Sequence, residues 1–89
     1  MTYTVYILKS KKDGGRYIGT TSNLIKRIWG HNAGTNKSTQ YRRPLHVIYK
    51  KEFTDKKSAL QYERWLKKQK GGFKVKELIR EYNNDASIA

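Results

Sequence analysis

Five side chains of the kinds used in phosphate-ester chemistry are spread along the sequence between residues 6 and 63. They are Tyr6, Tyr17, Arg27, His31 and Glu63. A carboxylate offers oxygen ligands to a hard divalent cation, whose other ligands are water and phosphate. A guanidinium can hold a phosphate bidentately and stabilise charge that develops in a transition state. A histidine can move a proton or hold a phosphate, and a phenol can position an attacking water.

Each of these side chains also has an ordinary role without chemistry. Glu63 precedes Lys67 by four residues on a predicted helix, in the order that favours an ion pair of about 0.2–0.5 kcal/mol. The stem of Arg27 could cover its apolar neighbours on a helix. The histidine could be a hydrogen-bonded packing residue, and the two tyrosines are typical strand aromatics. The spacing alone leaves both interpretations open at every position.

The balance of charge narrows the choice of partner. The 89 residues carry a net charge of +13, from 20 Lys and Arg against 7 Asp and Glu. Such an excess predicts a polyanionic partner, and nucleic acid is favoured over an anionic membrane because no basic amphipathic helix stands apart from the folded segments. The absence of cysteine excludes disulfides and thiolate metal sites. Without a signal peptide or a run of about 18 apolar residues, we expect a cytoplasmic protein with no membrane partner.

Basic residues on the predicted helix and loop surfaces form a candidate phosphate-binding surface. Arg42 and Arg43 lie in a polar loop, and Lys67 lies on the predicted second helix. Contacts of this kind give affinity without sequence specificity. Tyr41, beside the two arginines, could stack on a base or touch a phosphate, or it could cover the edge of the sheet.

The elements that position these residues begin with a predicted β-hairpin, which carries the two tyrosines on its two arms. One strand spans about residues 3–9, and a turn at 11–15 leads into a second strand at 16–20. Both faces of the first strand are largely apolar, so we expect it to be covered. If directly paired residues have an odd sum, as Leu8 with Tyr17 does, the rings of Tyr6 and Tyr17 project from the same face. We predict this register, because a shift by one residue would separate the phenols.

A first helix follows the hairpin. We predict its N-cap at Thr21 or Ser22 and its end at about residue 33, where a glycine follows. Arg27 and His31 are four residues apart and lie along the border of the apolar stripe, at the seam between helix and sheet. The predicted stripe consists of Leu24, Ile25 and Ile28.

The rest of the chain predicts a loop, a strand and two helices. A polar loop spans 35–43, a third strand 45–53, and helices about 55–70 and 73–83. We expect an alternating apolar face on the third strand from Leu45, Val47, Tyr49 and Phe53. The inward stripe of the second helix consists of Ala59, Tyr62 and Leu66, with Glu63 in the same arc, and its N-cap is Thr54 or Asp55. The inward stripe of the third helix consists of Val75, Leu78, Ile79 and Tyr82.

The predicted architecture is an α+β fold with a small antiparallel three-stranded sheet flanked by helices. The order of elements is ββαβαα, without an internal repeat or a domain boundary. We expect residues 1–84 to form a single domain and residues 85–89 to form a frayed tail.

The tripeptides of the hairpin and the residues after them resemble the GIY-YIG nuclease family. The second tripeptide, Tyr17-Ile18-Gly19, matches the family signature letter for letter, whereas Val5-Tyr6-Ile7 stands where Gly-Ile-Tyr is usual. The family also has an arginine about ten residues after the second tripeptide and a glutamate on a helix behind the third strand. Here these positions are Arg27 and Glu63, and His31 matches a position that is often histidine in small members.

The resemblance implies a metal-dependent hydrolysis of phosphodiesters. It implies that Glu63 holds one Mg²⁺ or Mn²⁺, that Arg27 stabilises the phosphorane charge, and that Tyr17 or Tyr6 positions the water. His31 completes the predicted catalytic set. Gly19 closes the second arm just before a predicted helix N-terminus, which favours anions, and belongs to the predicted substrate-binding set.

The same resemblance implies DNA as the substrate, cut with low sequence specificity. A chain without a separate recognition domain suggests structure-selective cutting, as in DNA repair or recombination, or delivery by a partner protein. Two alternatives remain open on the residues alone. One is a basic nucleic-acid-binding module with the same fold but without turnover. The other is a small basic protein that docks on RNA or ribosomes, with the tyrosines as core residues.

Overall fold

A computed structural model describes residues 2–35, 39–69 and 72–88, with residues 84–88 as backbone alone. The order ββαβαα is confirmed, and so is the α+β class. The elements are β1 (Tyr3–Ser10), β2 (Arg16–Thr21), α1 (Leu24–Ala33), β3 (Leu45–Phe53), α2 (Lys56–Lys68) and α3 (Phe73–Ile88). A single 3-10 turn precedes β3. Parts of the predicted loop and of the predicted end of the second helix lie outside the described residues: Asn36, Lys37, Ser38, Lys70 and Gly71.

The central strand of the sheet is β1, which pairs with both other strands in the antiparallel order β2-β1-β3. Its sequence explains this position, because both of its faces are apolar. Val5 and Ile7 face one side and Tyr6 and Leu8 face the other, and all four are fully buried. The prediction that this strand is covered is confirmed.

Two apolar clusters lie on the two faces of the sheet. The helices α2 and α3 cover one face, and α1 covers the other. The buried residues of the larger cluster are Val5, Ile7, Tyr49, Ala59, Leu66 and Val75. The buried residues of the cluster beneath α1 are Tyr6, Leu8 and Leu45, with Tyr17, Leu24, Ile28 and Val47 packed against them. The catalytic candidates Tyr6 and Tyr17 therefore belong to the α1 face.

The register of the hairpin is the predicted one. Leu8 is paired with Tyr17, and Tyr6 is paired with Gly19. Residues that pair directly share a face, so the two phenols project toward α1. The turn between the strands is closed by Asp13, whose Oδ1 accepts a hydrogen bond of 2.7 Å from the Gly15 N–H.

The third strand departs from the predicted alternation. Its register against β1 shifts between Ile7 and Leu8, which pair with Tyr49 and Val47 respectively, so that Ile48 is an extra residue. A bulge of this kind reverses which face the following side chains occupy. Leu45 and Val47 consequently face α1, whereas Tyr49 faces α2 and α3. The prediction of one continuous apolar face was wrong for this reason.

The start of α1 also differs from the prediction. Its N-cap is Asn23, whose Oδ1 accepts a 3.1 Å hydrogen bond from the Lys26 N–H. Thr21 cannot serve as the cap because its hydroxyl closes a tight turn, accepting from the Asn23 N–H at 3.1 Å. The predicted N-cap at Thr21 or Ser22 is therefore wrong. The predicted glycine stop is correct, since Gly34 adopts a left-handed conformation with φ of 83°.

The apolar stripe of α1 is narrower than predicted. Leu24 and Ile28 pack on the sheet, and the next residue along the same line of the helix is His31, which is buried. Ile25 is 83% exposed, so its assignment to the stripe was wrong. Only one face of α1 lies against the sheet. Ile25 is about 100° around the helix axis from Leu24, so its side chain lies outside that face.

The last two helices follow the predicted pattern. Asp55 is the N-cap of α2, where its carboxylate accepts a 2.8 Å hydrogen bond from the Ser58 N–H. The predicted inward residues of α2 and α3 all belong to the larger cluster. The backbone of α3 continues to Ile88, beyond the predicted end at about residue 83. No helix within the described ranges is long and apolar enough to cross a membrane.

The larger cluster dominates the stability of the fold, which makes its central leucine a sharp test. Leu66→Ala should lower the free energy of unfolding by about 2–5 kcal/mol, because it removes a fully buried side chain and leaves a cavity. Leu60→Ala on the same helix is the control, because Leu60 is exposed, and should cost about 0.5 kcal/mol or less. Urea unfolding measures both; equal losses would contradict the described packing of α2.

Candidate active site

A chain of buried hydrogen bonds links three elements on the α1 face. The Tyr6 hydroxyl lies 3.3 Å from Nε2 of His31, and Nδ1 of His31 lies 2.7 Å from the Thr39 hydroxyl. All three residues are buried, with His31 only 1% exposed. Either ring nitrogen can carry the proton; when Nδ1 carries it, His31 donates to Thr39 and accepts from Tyr6. The histidine thus joins the sheet to the segment that leads into β3.

Tyr17 completes an aromatic group with Tyr6 and His31. The ring centroids of the two tyrosines are 6.4 Å apart, and that of Tyr17 lies 4.9 Å from the imidazole, edge to face. Tyr17 is half-buried, whereas Tyr6 is fully covered. The prediction that both phenols share one face is confirmed, and three of the five catalytic candidates are in contact.

Arg27 and Glu63 act on this group through their charges. Burial raises the pKa of Tyr6 to about 12; Tyr17 adds to the rise, Arg27 opposes it, and Glu63 adds to it. With this pKa, the Tyr6 phenol stays protonated at neutral pH and serves as a hydrogen-bonding group.

The imidazole is held in its neutral form. Burial lowers the pKa of His31 below its ordinary value, and the positive charge of Arg27 lowers it further. At neutral pH, His31 accordingly has one ring nitrogen that can accept a hydrogen bond. A neutral histidine next to a protonated phenol gives an uncharged interior, with the charged groups at its border.

Glu63 extends from α2, on the opposite face of the sheet. One carboxylate oxygen accepts a hydrogen bond from the Thr20 hydroxyl, and the other pairs with the Lys67 ammonium at 2.7 Å. Partial burial raises the pKa of Glu63, but the hydrogen bonds from Lys67 and Thr20 and the charges of Lys67 and Arg64 outweigh this, so the pKa is lowered overall. The carboxylate is therefore ionised at neutral pH, with 18% of the side chain exposed. The ion pair with Lys67 expected from their spacing is present.

The two faces approach each other at the outer strand β2. The Tyr6 hydroxyl lies over Gly19 on one face, and Glu63 contacts Thr20, the next residue, on the other. Gly19 permits this approach because it has no side chain. A Cβ atom there would lie 2.5 Å from the Tyr6 hydroxyl oxygen. Gly19 thus has a steric role at the site, which the sequence pattern did not specify.

Two grooves flank this edge of the sheet. Arg27 is exposed and lines the groove along α1, together with the buried His31. The other groove lies beyond Tyr17 and is lined by cations from β2, α2 and α3: Arg16, Lys67 and Lys76. Within the described part of the chain, neither groove is lined by an acidic residue. Both grooves suit a polyanion.

The three predicted substrate-binding residues of the loop, Tyr41, Arg42 and Arg43, differ in their contacts. Arg42 pairs with Asp13 at 3.4 Å and donates a 3.3 Å hydrogen bond to the Arg16 carbonyl. Arg43 donates a 2.7 Å hydrogen bond from Nε to the Gln40 carbonyl. These contacts support the loop, whereas the Tyr41 ring is exposed. A substrate role for the three residues stays a prediction.

Two positioning residues were missed in the sequence. Thr39 was placed in a polar loop, yet it is fully buried and holds His31. The Asn32 side chain accepts a 2.7 Å hydrogen bond from the Leu45 N–H and donates one of 3.0 Å to its carbonyl. A hydroxyl or an amide in a polar segment carries no periodic signal, so only the folded chain reveals these contacts.

Glu63 is the residue that fits a divalent cation. Across the described residues, no three His, Asp or Glu side chains form a group that could hold a metal ion. A hard cation such as Mg²⁺ can be bound by one or two carboxylates, with water and substrate phosphate as its remaining ligands. The ionised carboxylate of Glu63 meets that requirement, and the side chain of its partner Lys67 is exposed. The chemistry of the donor is therefore compatible with one such ion.

Comparisons with known proteins find a family model, related sequences and a solved structure that this chain is similar to. The sequence model of the GIY-YIG catalytic domain matches residues 2–77. The chain is 43% identical over 81 residues to a UPF0213 protein of Lactiplantibacillus plantarum, covering 85% of this chain and 77% of that protein. It is 41% identical over 64 residues to the UPF0213 protein YazA of Bacillus subtilis, covering 71% of this chain and 64% of YazA. The solution NMR structure of the UPF0213 protein BH0048 from Bacillus halodurans is 35% identical, with a TM-score of 0.48, covering 75% of this chain and 71% of that one.

The chain belongs to the GIY-YIG family, a family of nucleases. The resemblance inferred from the two tripeptides, the arginine and the glutamate is confirmed at this level.

The close approach at Gly19 gives a first test of the site. Gly19→Ala should displace the Tyr6 ring, weaken its hydrogen bond to His31 and lower the free energy of unfolding by about 1–3 kcal/mol. Gly30→Ala is the control, because its new Cβ meets only the Thr35 hydroxyl at 3.1 Å and alanine favours a helix, so stability should change by less than about 1 kcal/mol. Urea unfolding and the imidazole nitrogen shifts in NMR spectra measure both effects. An unchanged His31 signal in Gly19→Ala would contradict the described contact.

The buried histidine predicts a pH dependence of stability. In the unfolded chain, His31 takes up a proton below its ordinary pKa of about 6.5, whereas the folded chain keeps it neutral to a lower pH. Because the unfolded state then binds more protons, the stability present above about pH 6.5 is lost as the pH falls toward the folded pKa. Carboxylates such as Glu63 contribute to the pH dependence of stability at lower pH, below the range in which His31 titrates.

Urea unfolding between about pH 7.5 and 5.5 checks this prediction. The wild type should lose stability across the interval, and His31→Gln should show a much smaller slope. His46→Gln should keep the wild-type slope, since His46 is exposed on β3. The same slope in wild type and His31→Gln would refute the assignment.

Proposed function

We propose that this protein is a divalent-metal-dependent endonuclease that hydrolyses DNA phosphodiesters with low sequence specificity. The observation that carries the proposal is that the Tyr6 hydroxyl lies over Gly19 on one face of β2, while Glu63 hydrogen-bonds Thr20 on the other. The Tyr6 phenol, the Arg27 guanidinium and the Glu63 carboxylate all lie around the end of this outer strand, at Gly19, Thr21 and Thr20 respectively. Family membership supports hydrolysis at this place, and the net charge of +13 supports a nucleic acid as the substrate.

The charged residues have complementary roles in this proposal. Arg27, exposed in the α1 groove, binds the scissile phosphate and stabilises the added negative charge of the transition state. Glu63 holds Mg²⁺ or Mn²⁺, and its low pKa keeps the carboxylate ready for that task at neutral pH. A bound divalent cation supplies Lewis-acid stabilisation and lowers the pKa of water. Lys67 then becomes available for a neighbouring phosphate.

The uncharged residues orient the attacking water. Tyr6 is protonated at neutral pH, so it acts by hydrogen bonding, with its proton directed to the neutral Nε2 of His31. Tyr6 is fully buried, so it supports the site from within. Tyr17 is only half-buried, and we assign to it the orientation of the water. His31, held by Thr39, keeps the Tyr6 hydroxyl in one orientation.

The biological setting we propose is structure-selective cutting, as in DNA repair or recombination, in the cytoplasm. A partner protein that supplies targeting is compatible with a family match that spans most of this small chain. The rival is a nucleic-acid-binding module on the same fold that lacks turnover. Binding alone does not separate the two, since both rely on the positive charge.

Substitution of the metal ligand separates the enzyme from the binding module. Glu63→Gln should lower the rate of Mn²⁺- or Mg²⁺-dependent cleavage of branched DNA by at least about 10²-fold, because it removes the anionic ligand. Its affinity for DNA should be retained. Glu52→Gln makes the same chemical change at an exposed position on β3, and its rate should stay within about twofold of the wild type.

A chelator should abolish cleavage by the wild type, and amide NMR shifts on addition of Mg²⁺ should cluster around Glu63 and vanish in Glu63→Gln. Cleavage that is equal in wild type and Glu63→Gln would refute the proposed role of this residue. Binding with no metal-dependent cleavage by the wild type would favour the binding module.

A further inference from the structure

The outer surface of α1 carries a large aromatic side chain that the fold does not use. Trp29 is 75% exposed, although its indole is among the largest apolar groups of a chain whose core is thin. The other tryptophan, Trp65, packs into the larger cluster and stacks on Tyr62 with a centroid distance of 5.6 Å. Packing therefore accounts for Trp65 and does not account for Trp29.

Trp29 lines the same groove as the candidate catalytic residues Arg27 and His31. Lys26, one turn earlier on α1, lines this groove too. The remaining lining is polar and small: Thr21, Ser22, Asn23, Gly30 and Thr35. An exposed indole between cations and hydrogen-bonding groups combines the features that bind single-stranded nucleic acid, namely a face for a base and positive charge for phosphates.

We propose that Trp29 is the stacking platform for an unpaired nucleobase on the strand whose phosphate is bound at Arg27. This inference rests on the proposed function and specifies the substrate class for the site. Lys26 binds a phosphate of the same strand. A base inside a duplex has both faces covered by its neighbours, so this platform favours substrates with an unpaired nucleotide near the cut, such as flaps, branches and single strands.

The charge of α1 favours a nucleic acid over a protein as the ligand of Trp29. The helix has no acidic residue, and the cations Lys26 and Arg27 line the same groove as Trp29. Ile25, one turn before Trp29, is even more exposed but does not line the groove. An apolar docking surface for a protein would use both side chains, whereas base stacking uses only the indole. Ile25 is therefore a matched control on the same helix.

Fluorescence provides the first measurement, with a chelator present so that no cleavage occurs. Addition of a short oligothymidylate should quench the tryptophan emission of the wild type, because a base stacks on the exposed indole. In Trp29→Phe the remaining emission comes from Trp65, which is packed against Tyr62, and should not change. A blunt duplex of the same length should quench the wild type much less.

Affinity provides the second measurement, by anisotropy of a labelled oligothymidylate under the same conditions. Trp29→Ala should weaken binding of the single strand about 5- to 150-fold, the loss expected for one stacked base. Ile25→Ala should leave it within about twofold of the wild type, and both variants should bind the blunt duplex within about twofold. Both positions are exposed, so circular dichroism should show wild-type folding in each variant.

Unchanged binding of the single strand by Trp29→Ala would overturn the inference. Equal weakening in Trp29→Ala and Ile25→Ala would also overturn it, in favour of a general apolar docking surface. A different result would refute the proposed nuclease function. If Trp29-dependent quenching occurs but the wild type does not cleave DNA with Mn²⁺, the stacking site is supported and the proposed hydrolysis is refuted.

Discussion

The fold depends on the burial of β1 on both of its faces. A chain of 89 residues can bury only a thin core, and the alternation in β1 supplies an apolar face to the cluster on each side of the sheet. One face requires α1 and the other requires α2 and α3, so the helices are forced onto opposite sides of a single sheet. Side chains from α1 and α2 can then approach each other only around an outer strand, and Glu63 of α2 contacts the outer strand β2 at Thr20.

This constraint also explains how charge is distributed at the candidate site. The interior contains a neutral imidazole and a protonated phenol, which lose little free energy on leaving water when they are hydrogen-bonded to each other. Arg27 and Glu63 remain at the border, where water still solvates their charges. The arrangement avoids burying a full charge in a small protein, while Arg27 and Glu63 both still influence the pKa of Tyr6.

Much of this architecture follows from periodicity, and the parts that do not follow have physical causes. The alternation of the hairpin predicts its register, and the spacing of the helical stripes predicts their packing, because both depend on which face is apolar. The reversal along β3 escapes prediction, since Ile48 is as apolar as its neighbours and nothing marks it as the extra residue. Long-range polar contacts escape as well: Thr39 and Asn32 reveal their partners only when distant segments come together. For the same reason, the placement of Tyr6 over Gly19 and of Glu63 on Thr20 rests on the fold and not on their spacing.

The irregular pairing of β3 affects whether copies of this protein can associate through that strand. As an outer strand, β3 presents backbone groups that another chain could pair with, which is a general route to aggregation. The extra residue at Ile48 interrupts the straight run of the strand. The exposed Lys50 and Lys51 follow Tyr49 on the same strand, and a second copy approaching this edge would bring lysines of its own. The kink and the mutual repulsion together make β3 a poor template for strand addition, so that two open edges are compatible with an independent small domain.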